Sequence, residues 1–428
     1  MTTDQAASAA ARCPAHPDGA TRPGAGHHGY EPFDMSAPFA SYARLRAEAP
    51  VHYDERVGHW VVARYADVKA VFDDWETFSS ENAQRPVRPL GEPARRVLAE
   101  GRFTAYSGLS ARVPPDHTRI RKVATKCFTP RRYRVLEPLI RGNVDAMLDA
   151  MVARGTPGDL VADLAWDLPT ITLLMLLGVP EERIPQVKEW AAARSAITWG
   201  DLTDDEQVPH AHRLVEYWRF CESLVAGRHA APGDDLVSDL VRLQGEGEGI
   251  SDHEIASLCW SMLFAGHETT TTLISNALRE LLAHPAQWAR LTADPRLAPA
   301  AVDEVLRYSP SIVAWRRRTL APAVVGGVEI PEGADVLLLM GSANRDEDVF
   351  SDPETFDVTR GNARAHLSFG FGIHYCLGNQ LAKLQARIVL EQVVARLPSL
   401  RLAPGAAIRF GHSLSFRTPE AVPVEWDQ

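Results

Sequence analysis

A chain of 428 residues, 45% of them hydrophobic, has the composition of a globular protein with a sizeable core, in one large domain or two to three ordinary ones. Its net charge of −10 argues against a general affinity for nucleic acid. Five scattered cysteines make no disulfide framework and fit a reducing compartment.

Residues 1–30 are rich in Ala, Gly, Pro and His and hold no apolar segment, so they read as a disordered leader rather than a secretory signal, ahead of a single domain spanning 31–428. Cys13, His16, His27 and His28 in that leader match no zinc spacing. "VHYDERVGHWVVARY" predicts two short strands around a turn at Gly58, and "ADVKAVFDD" a short helix. Residues 79–115, rich in Pro, Arg, Gly and Ser, read as a long irregular connection of the kind that often carries function. Helices are expected over roughly 116–128, 132–154, 160–177, 181–199 and 205–229. The apolar run "ITLLMLLGV" is about half a membrane span, so no membrane association is expected and the protein reads as soluble and cytoplasmic.

At Ser251, "SDHE" has the form of a capping box, and no proline follows before His284. One helix of about 45 Å, at ~1.5 Å per residue, is expected there. Val-rich residues 310–340 predict short strands, 348–367 an irregular coil and 377–397 an amphipathic helix. The fold class is therefore mainly α with small β-sheets.

The chemistry is concentrated in "FGFGIHYCLG", Phe369 to Gly378. Cys376 stands at the start of the last long helix, where unpaired N–H groups favour a thiolate. Gly370, Gly372 and Gly378 let backbone approach a flat or bulky group, and Phe369 and Phe371 add apolar cover. A buried packing cysteine is the plainest reading. A nucleophile would need a base, and His374, two residues away in a tight turn, is poorly placed for that. Zinc would need further Cys or His ligands nearby. A single thiolate suffices for an iron already held by the four nitrogens of a porphyrin.

The ten-residue stretch resembles the cysteine-ligand loop of the cytochrome P450 haem-thiolate monooxygenases, with every fixed position of that pattern met. Further motifs agree in order. In "EVLR", Glu304 and Arg307 share a helix face and resemble the family's buried ion network, completed by Arg360 of "FDVTR". "LFAGHETTT" resembles the oxygen-binding stretch of the family's central helix. There Ala265 and Gly266 imply a local kink, and Glu268 and Thr269 an acid–alcohol pair for proton delivery. "DHTRIRK" supplies His117 and Arg121 as expected propionate contacts, with His374 as a third. Arg317 is the fourth, chosen among the adjacent Arg316, Arg317 and Arg318.

The resemblance runs from about residue 30 to the end, and is closest to haem domains fused to a flavin and iron–sulfur reductase. It implies haem b (iron protoporphyrin IX) between the long central helix and the cysteine-loop helix, ligated by Cys376, with Phe369, Gly370 and Gly378 around it. The implied reaction inserts one atom of O2 into a small apolar or aromatic substrate, with electrons from NAD(P)H. Those would arrive through ferredoxin and ferredoxin reductase, or through an FMN/iron–sulfur reductase. A peroxide-driven peroxygenase and a non-catalytic haem sensor are the competing readings; the intact Glu268–Thr269 pair disfavours the first.

The resemblance also implies that the substrate pocket draws its walls from 79–115, 195–213, Ala265, "SIVAW" (Ser311–Trp315) and "HSLSF" (His412–Phe416). Val313, Ala314 and Leu414 would make it apolar, and Trp315 could stack on a ring. Finally, the run from Arg119 to Arg134 carries seven basic residues and no acidic one. On an acidic chain it is expected to serve the propionates and to dock an acidic redox partner on the cysteine side.

Overall fold

A computed structural model describes residues 29–105 and 108–427. Residues 1–28 of the expected leader, with Cys13, His16, His27 and His28, lie outside the described residues, while Tyr30, placed at its end, is instead buried against Tyr42 in the core.

Helices dominate, and three small sheets stand beside them. The largest sheet runs in the order Val51–Asp54, His59–Val62, Asp335–Leu338, Trp315–Thr319, Phe78–Ser79. All its pairings are antiparallel except that of His59–Val62 with Asp335–Leu338. The predicted turn at Gly58 is present, with φ +67 where a side chain would be strained. A three-stranded sheet joins Gly158–Asp159, Pro423–Glu425 and Arg401–Leu402.

The expected helices appear near their predicted bounds, at Asp116–Thr125, Pro130–Arg154, Leu168–Leu177, Ile184–Trp199 and Asp204–Ala230. The stretch expected to be irregular, 79–115, contains a helix at Glu92–Glu100. Its apolar face is short, and among its residues only Ala94 is buried, so periodicity gave little sign of it. Leu236–Gly245 and Pro285–Ala293 are further helices without a sequence-based expectation.

The capping box at Ser251 is formed: Ser251 Oγ accepts from the Glu254 N–H at 3.3 Å, and Glu254 Oε2 accepts from the Ser251 N–H at 2.9 Å. The single long helix expected after it is instead two, Asp252–Ala265 and Glu268–Ala283, divided at Gly266 and His267. The Thr269 hydroxyl donates to the Ala265 carbonyl at 2.6 Å, and the His267 N–H reaches back only three residues, to Phe264 O at 3.3 Å. The regular ladder resumes with Thr271 N–H to His267 O at 3.0 Å. A side-chain hydroxyl competing for a backbone carbonyl is a recognised cause of such breaks. Gly266 also sits where a Cβ would lie 3.2 Å from Leu173 Cδ1, so a larger residue would crowd the neighbouring helix.

The main core surrounds Glu268–Ala283 and the cysteine-loop helix Asn379–Arg396, which pack together. Behind the loop lies a buried ion network. Glu304 and Arg307 are fully buried, joined by two hydrogen bonds of 2.8 Å. Arg360 Nε donates to Glu304 Oε1 at 3.2 Å, and so does the Asp357 N–H at 3.0 Å. Carbonyls of Asn344, Pro353 and Thr355 take remaining donors of Arg307. This network pins the irregular 348–367 segment onto the Ala298–Tyr308 helix, from which the chain runs straight into the cysteine loop.

Candidate active site

The cysteine loop closes on itself through Cys376 N–H to Phe369 O at 2.9 Å and Asn379 Nδ2 to Cys376 O at 2.7 Å. Gly370 and Gly372 take φ values of +72 and +68, and a Cβ at Gly372 would lie 2.9 Å from Phe72 O. The loop is thus held open by glycine, and Cys376 faces a cavity bordered on the other side by Ala265, Gly266 and Thr269 at the helix break. The helix itself begins at Asn379, three residues beyond Cys376. Burial pushes the Cys376 thiol up, against backbone N–H groups of Gly378 and Asn379 and the charge of Arg121, which pull it down.

Four cationic or ionisable groups converge at one end of this cavity. The rings of His117 and His374 lie 4.2 Å apart. Arg121 and Arg317 line the cavity with His374, while His117 stands behind His374 and is not itself on the cavity wall. Burial and the Arg121 charge push His117 down to about 4; His374 is pushed down further, by burial and then by Arg317, His117 and Arg121. His117 Nδ1 and Nε2, His374 Nδ1 and Arg317 Nε are buried without hydrogen-bond partners. Such a group of donors lacks its anion. Above the loop, a Cβ added to Gly378 would meet nothing within 4 Å. A flat cofactor bearing two carboxylates, set between Cys376 and the helix break, fits these residues: its carboxylates would complete the orphaned donors and its face the open glycine.

Strand alternation separates the three arginines that the sequence left adjacent. Arg317 faces the cavity. Arg316 turns to the other side, stacked on Trp199 at 4.2 Å and bonded to backbone carbonyls, and Arg318 pairs with Asp335 at 3.3 Å.

Across the cavity, Thr269 lines the wall and Glu268 lies behind it. Burial raises Glu268 to about 7, with the Ser195 hydroxyl, which donates to Glu268 Oε1 at 3.3 Å, acting the other way. Ser195 has no signal in the sequence, because nothing local ties it to residue 268. His267 is buried and points away from the cavity, against Trp166 at 5.6 Å.

The substrate walls are partly as expected. Gln84, Leu109 and Ser110 from the 79–115 region line the cavity, as do Ala265, Ser311, Trp315 and Phe416. Val313, Ala314 and Leu414 do not; they are buried in a core cluster with Trp199 and Tyr42. Nor does the 195–213 segment: the Ile184–Trp199 helix presents Arg194 instead, one residue before it. Apolar wall is supplied by Leu173, Leu258 and Phe264.

The basic run is more neutralised than its composition indicates. Arg119 pairs with Glu254, Lys126 with Glu248 and Arg132 with Asp239, and Arg121 turns inward. Arg131 and Arg134 remain exposed, at the start of the Pro130–Arg154 helix, with Val135 60% and Leu139 46% exposed beside them. Tyr133, between them, lies close enough to Cys376 for the two groups to interact, so this surface is on the cysteine side.

The family model for Cytochrome P450 matches residues 222–398. Among curated relatives, the erythromycin C-12 hydroxylase of Saccharopolyspora erythraea is 38% identical over 358 residues, 83% of this chain and 86% of that protein. The cytochrome P450 monooxygenase PikC of Streptomyces venezuelae is 36% identical over 399 residues, 91% of each chain. Among solved structures, cytochrome P450 CREJ in complex with (4-ethylphenyl) dihydrogen phosphate is similar with a TM-score of 0.93 and 60% identity, covering 94% of this chain and 100% of that one. An intact type IV self-sufficient cytochrome P450 monooxygenase is similar with a TM-score of 0.89 and 36% identity, over 93% of this chain and 52% of that one.

Proposed function

The chain belongs to the cytochrome P450 family and is a monooxygenase, and from that premise we propose that it oxidises a small aromatic compound in the cytoplasm, on haem b held by Cys376, with electrons from NAD(P)H. The observation that carries the cofactor assignment is the orphaned cluster of His117, His374 and Arg317 nitrogens at the edge of the cavity that Cys376 faces. Bound haem supplies dioxygen activation, assisted by electron donation from a cysteine thiolate. Cys376 would hold the iron from one side, with the Gly378 and Asn379 N–H groups stabilising its charge. Arg121, Arg317, His374 and, behind it, His117 would hold the propionates. Phe369, Gly370 and Gly378 leave room for the ring.

On the opposite side, Ala265 and Gly266 leave space at the helix break. Thr269 lines that space, its hydroxyl donating to the Ala265 carbonyl and still able to accept, and Glu268, its carboxyl raised to about 7, stores a proton that can pass toward it. The apolar wall of Leu173, Leu258 and Phe264 excludes water from the reacting carbon. Trp315 and Phe416 add aromatic rings to this wall, on which an aromatic substrate would pack. The (4-ethylphenyl) dihydrogen phosphate bound by the 60% identical CREJ is a precedent for such a substrate, with an anionic group at one end.

Electrons would enter from the cysteine side, where Arg131, Arg134, Val135 and Leu139 form an exposed basic and apolar surface. It suits an acidic ferredoxin or the FMN/iron–sulfur module of the fused relatives. The purified holoenzyme, given NADPH, a surrogate ferredoxin system, 4-ethylphenyl phosphate and labelled dioxygen, should form a product with one labelled oxygen atom. Product formed only with added peroxide would assign it instead as a peroxygenase; no product and no oxygen uptake under either condition would favour a sensor.

A further inference from the structure

Seven arginines of the described structure are almost wholly buried: Arg46, Arg194, Arg307, Arg316, Arg317, Arg345 and Arg417. Five have acidic partners or neighbours: Glu347 for Arg46, Glu304 for Arg307, Asp335 for Arg316, Glu354 for Arg345 and Glu280 for Arg417. Neither Arg194 nor Arg317 has a carboxylate acting on it; Arg194 has only the Tyr217 hydroxyl and the Cys221 thiol as acidic neighbours. These two are also the ones among the seven that line the cavity. A buried guanidinium without an anion is costly, because water has been removed and nothing of opposite charge replaces it. Arg317 belongs to the propionate cluster. Arg194 lies on the substrate wall, across from the cysteine loop, and is left over.

Its surroundings are built to hold it rather than to neutralise it. Nη1 donates to Trp260 O at 2.7 Å and Nη2 to Gln84 Oε1 at 3.3 Å. The guanidinium lies 4.7 Å from the centre of the Trp260 ring and 4.6 Å from that of Phe264. Tyr217 shares the Trp260 carbonyl, donating at 2.7 Å, which fixes that acceptor in place. The Trp260 and Gln84 oxygens take two of the five N–H groups and the Tyr217 hydroxyl interacts with a third, so the fork keeps donors for a ligand. Gln84, whose carbonyl oxygen faces Arg194, has its amide N–H groups to offer, and Ser261 adds a hydroxyl on the same wall.

We infer that Arg194, with Gln84 and Ser261, forms an anion-binding subsite in the substrate cavity that selects aromatic compounds carrying a phosphate monoester. This rests on the monooxygenase reading and names the group by which that site chooses its substrate. A tetrahedral dianion suits the subsite because it can accept from a guanidinium fork, an amide and a hydroxyl at once. The aromatic body then lies along the apolar wall, with its far end turned to the oxidising side. A neutral phenol would leave Arg194 as unpaired as it is now, so the site discriminates through a buried charge.

The test is a spectral binding titration of the holoenzyme with four probes that share a 4-ethylphenyl body: the phosphate, the sulfate, the benzoate and the free phenol. The phosphate should bind about 100-fold more tightly than the phenol, which corresponds to about 2.7 kcal/mol at ~1.4 kcal/mol per tenfold. Sulfate and benzoate, each a single charge, should fall between. In Arg194→Gln the phosphate preference should drop to within about threefold while phenol binding changes little; Arg194→Lys, a point charge without the fork, should keep about tenfold. Should Arg194→Gln fail to retain haem, Gln84→Leu serves, with a loss of about fivefold for the phosphate alone. Equal binding of phosphate and phenol by the wild type, or an undiminished preference in Arg194→Gln, overturns the inference. A carbon monoxide spectrum is taken on every sample. A normal thiolate band with no phosphate preference refutes the subsite and leaves the monooxygenase reading intact, whereas a missing band strikes at the reading itself.

Discussion

In the proposed mechanism Glu268 sets the pH at which proton delivery can operate, and its surroundings allow the effect to be worked out. Burial holds its carboxyl up at about 7, while the hydrogen bond from Ser195 at 3.3 Å favours the charged form. Below about pH 7 it is a neutral acid with a proton to give; above, it is a carboxylate. The fraction of NADPH electrons recovered in product should therefore fall as pH rises through about 7. Ser195→Ala removes the one hydrogen bond that stabilises the carboxylate. A hydrogen bond to a charged group contributes roughly 1.5–3 kcal/mol at good geometry, and about 1 kcal/mol is a fair allowance for this long one. At about 1.4 kcal/mol per pH unit, the inflection should move upward by about 0.7. Glu268→Gln has no titrating proton, so it should abolish the inflection and lower product formation by about 100-fold, the range of a lost acid–base group. The assay is product formed per NADPH consumed, from about pH 5.5 to 9, with a surrogate ferredoxin system. An inflection that survives unchanged in Glu268→Gln, or that moves downward in Ser195→Ala, refutes this assignment.

The remaining predictions concern stability and docking. Glu304→Gln leaves Arg307 and Arg360 without their carboxylate in a buried site, at a cost of about 3–5 kcal/mol. With an unfolding entropy near 2 cal/mol/K per residue over about 400 residues, scanning calorimetry should show a melting temperature lower by about 4–6 °C. A shift under 1 °C would mean the network is not a structural anchor. Arg131→Glu combined with Arg134→Glu should raise the ferredoxin concentration for half-maximal turnover by about tenfold and flatten its salt dependence, with substrate binding unchanged. An unaltered ferredoxin requirement would move the docking surface elsewhere.

The loop around Cys376 was legible because its demands are local: glycines at positive φ, a thiol between them, and a helix next in sequence. The Glu304–Arg307–Arg360 network was legible for a related reason, since one pair lies on a single helix turn and its third member sits in a short motif. What escaped depends on distant partners. Ser195 meets Glu268 across two helices, and Arg194 meets Gln84 across 110 residues, so neither contact leaves a spacing in the sequence. The basic run misled in the same way, because Glu254, Glu248 and Asp239, which neutralise it, come from more than 100 residues away. The unbroken helix expected over 251–284 failed where a polar side chain took a backbone carbonyl, a competition that apolar periodicity does not register. The choice among Arg316, Arg317 and Arg318 needed only the strand's alternation together with one fact that the sequence lacks: which face of the sheet meets the cavity.

The central claim, that Cys376 is the thiolate ligand of a haem set in this cavity, is tested most directly by the carbon monoxide difference spectrum of the reduced protein. The wild type should give the long-wavelength band characteristic of thiolate-ligated haem, and Cys376→Ala should lose that band even if it still takes up haem through Arg121, Arg317 and His374. A wild-type spectrum with only the shorter-wavelength band of a haem lacking thiolate ligation, or a long-wavelength band that persists in Cys376→Ala, would contradict it.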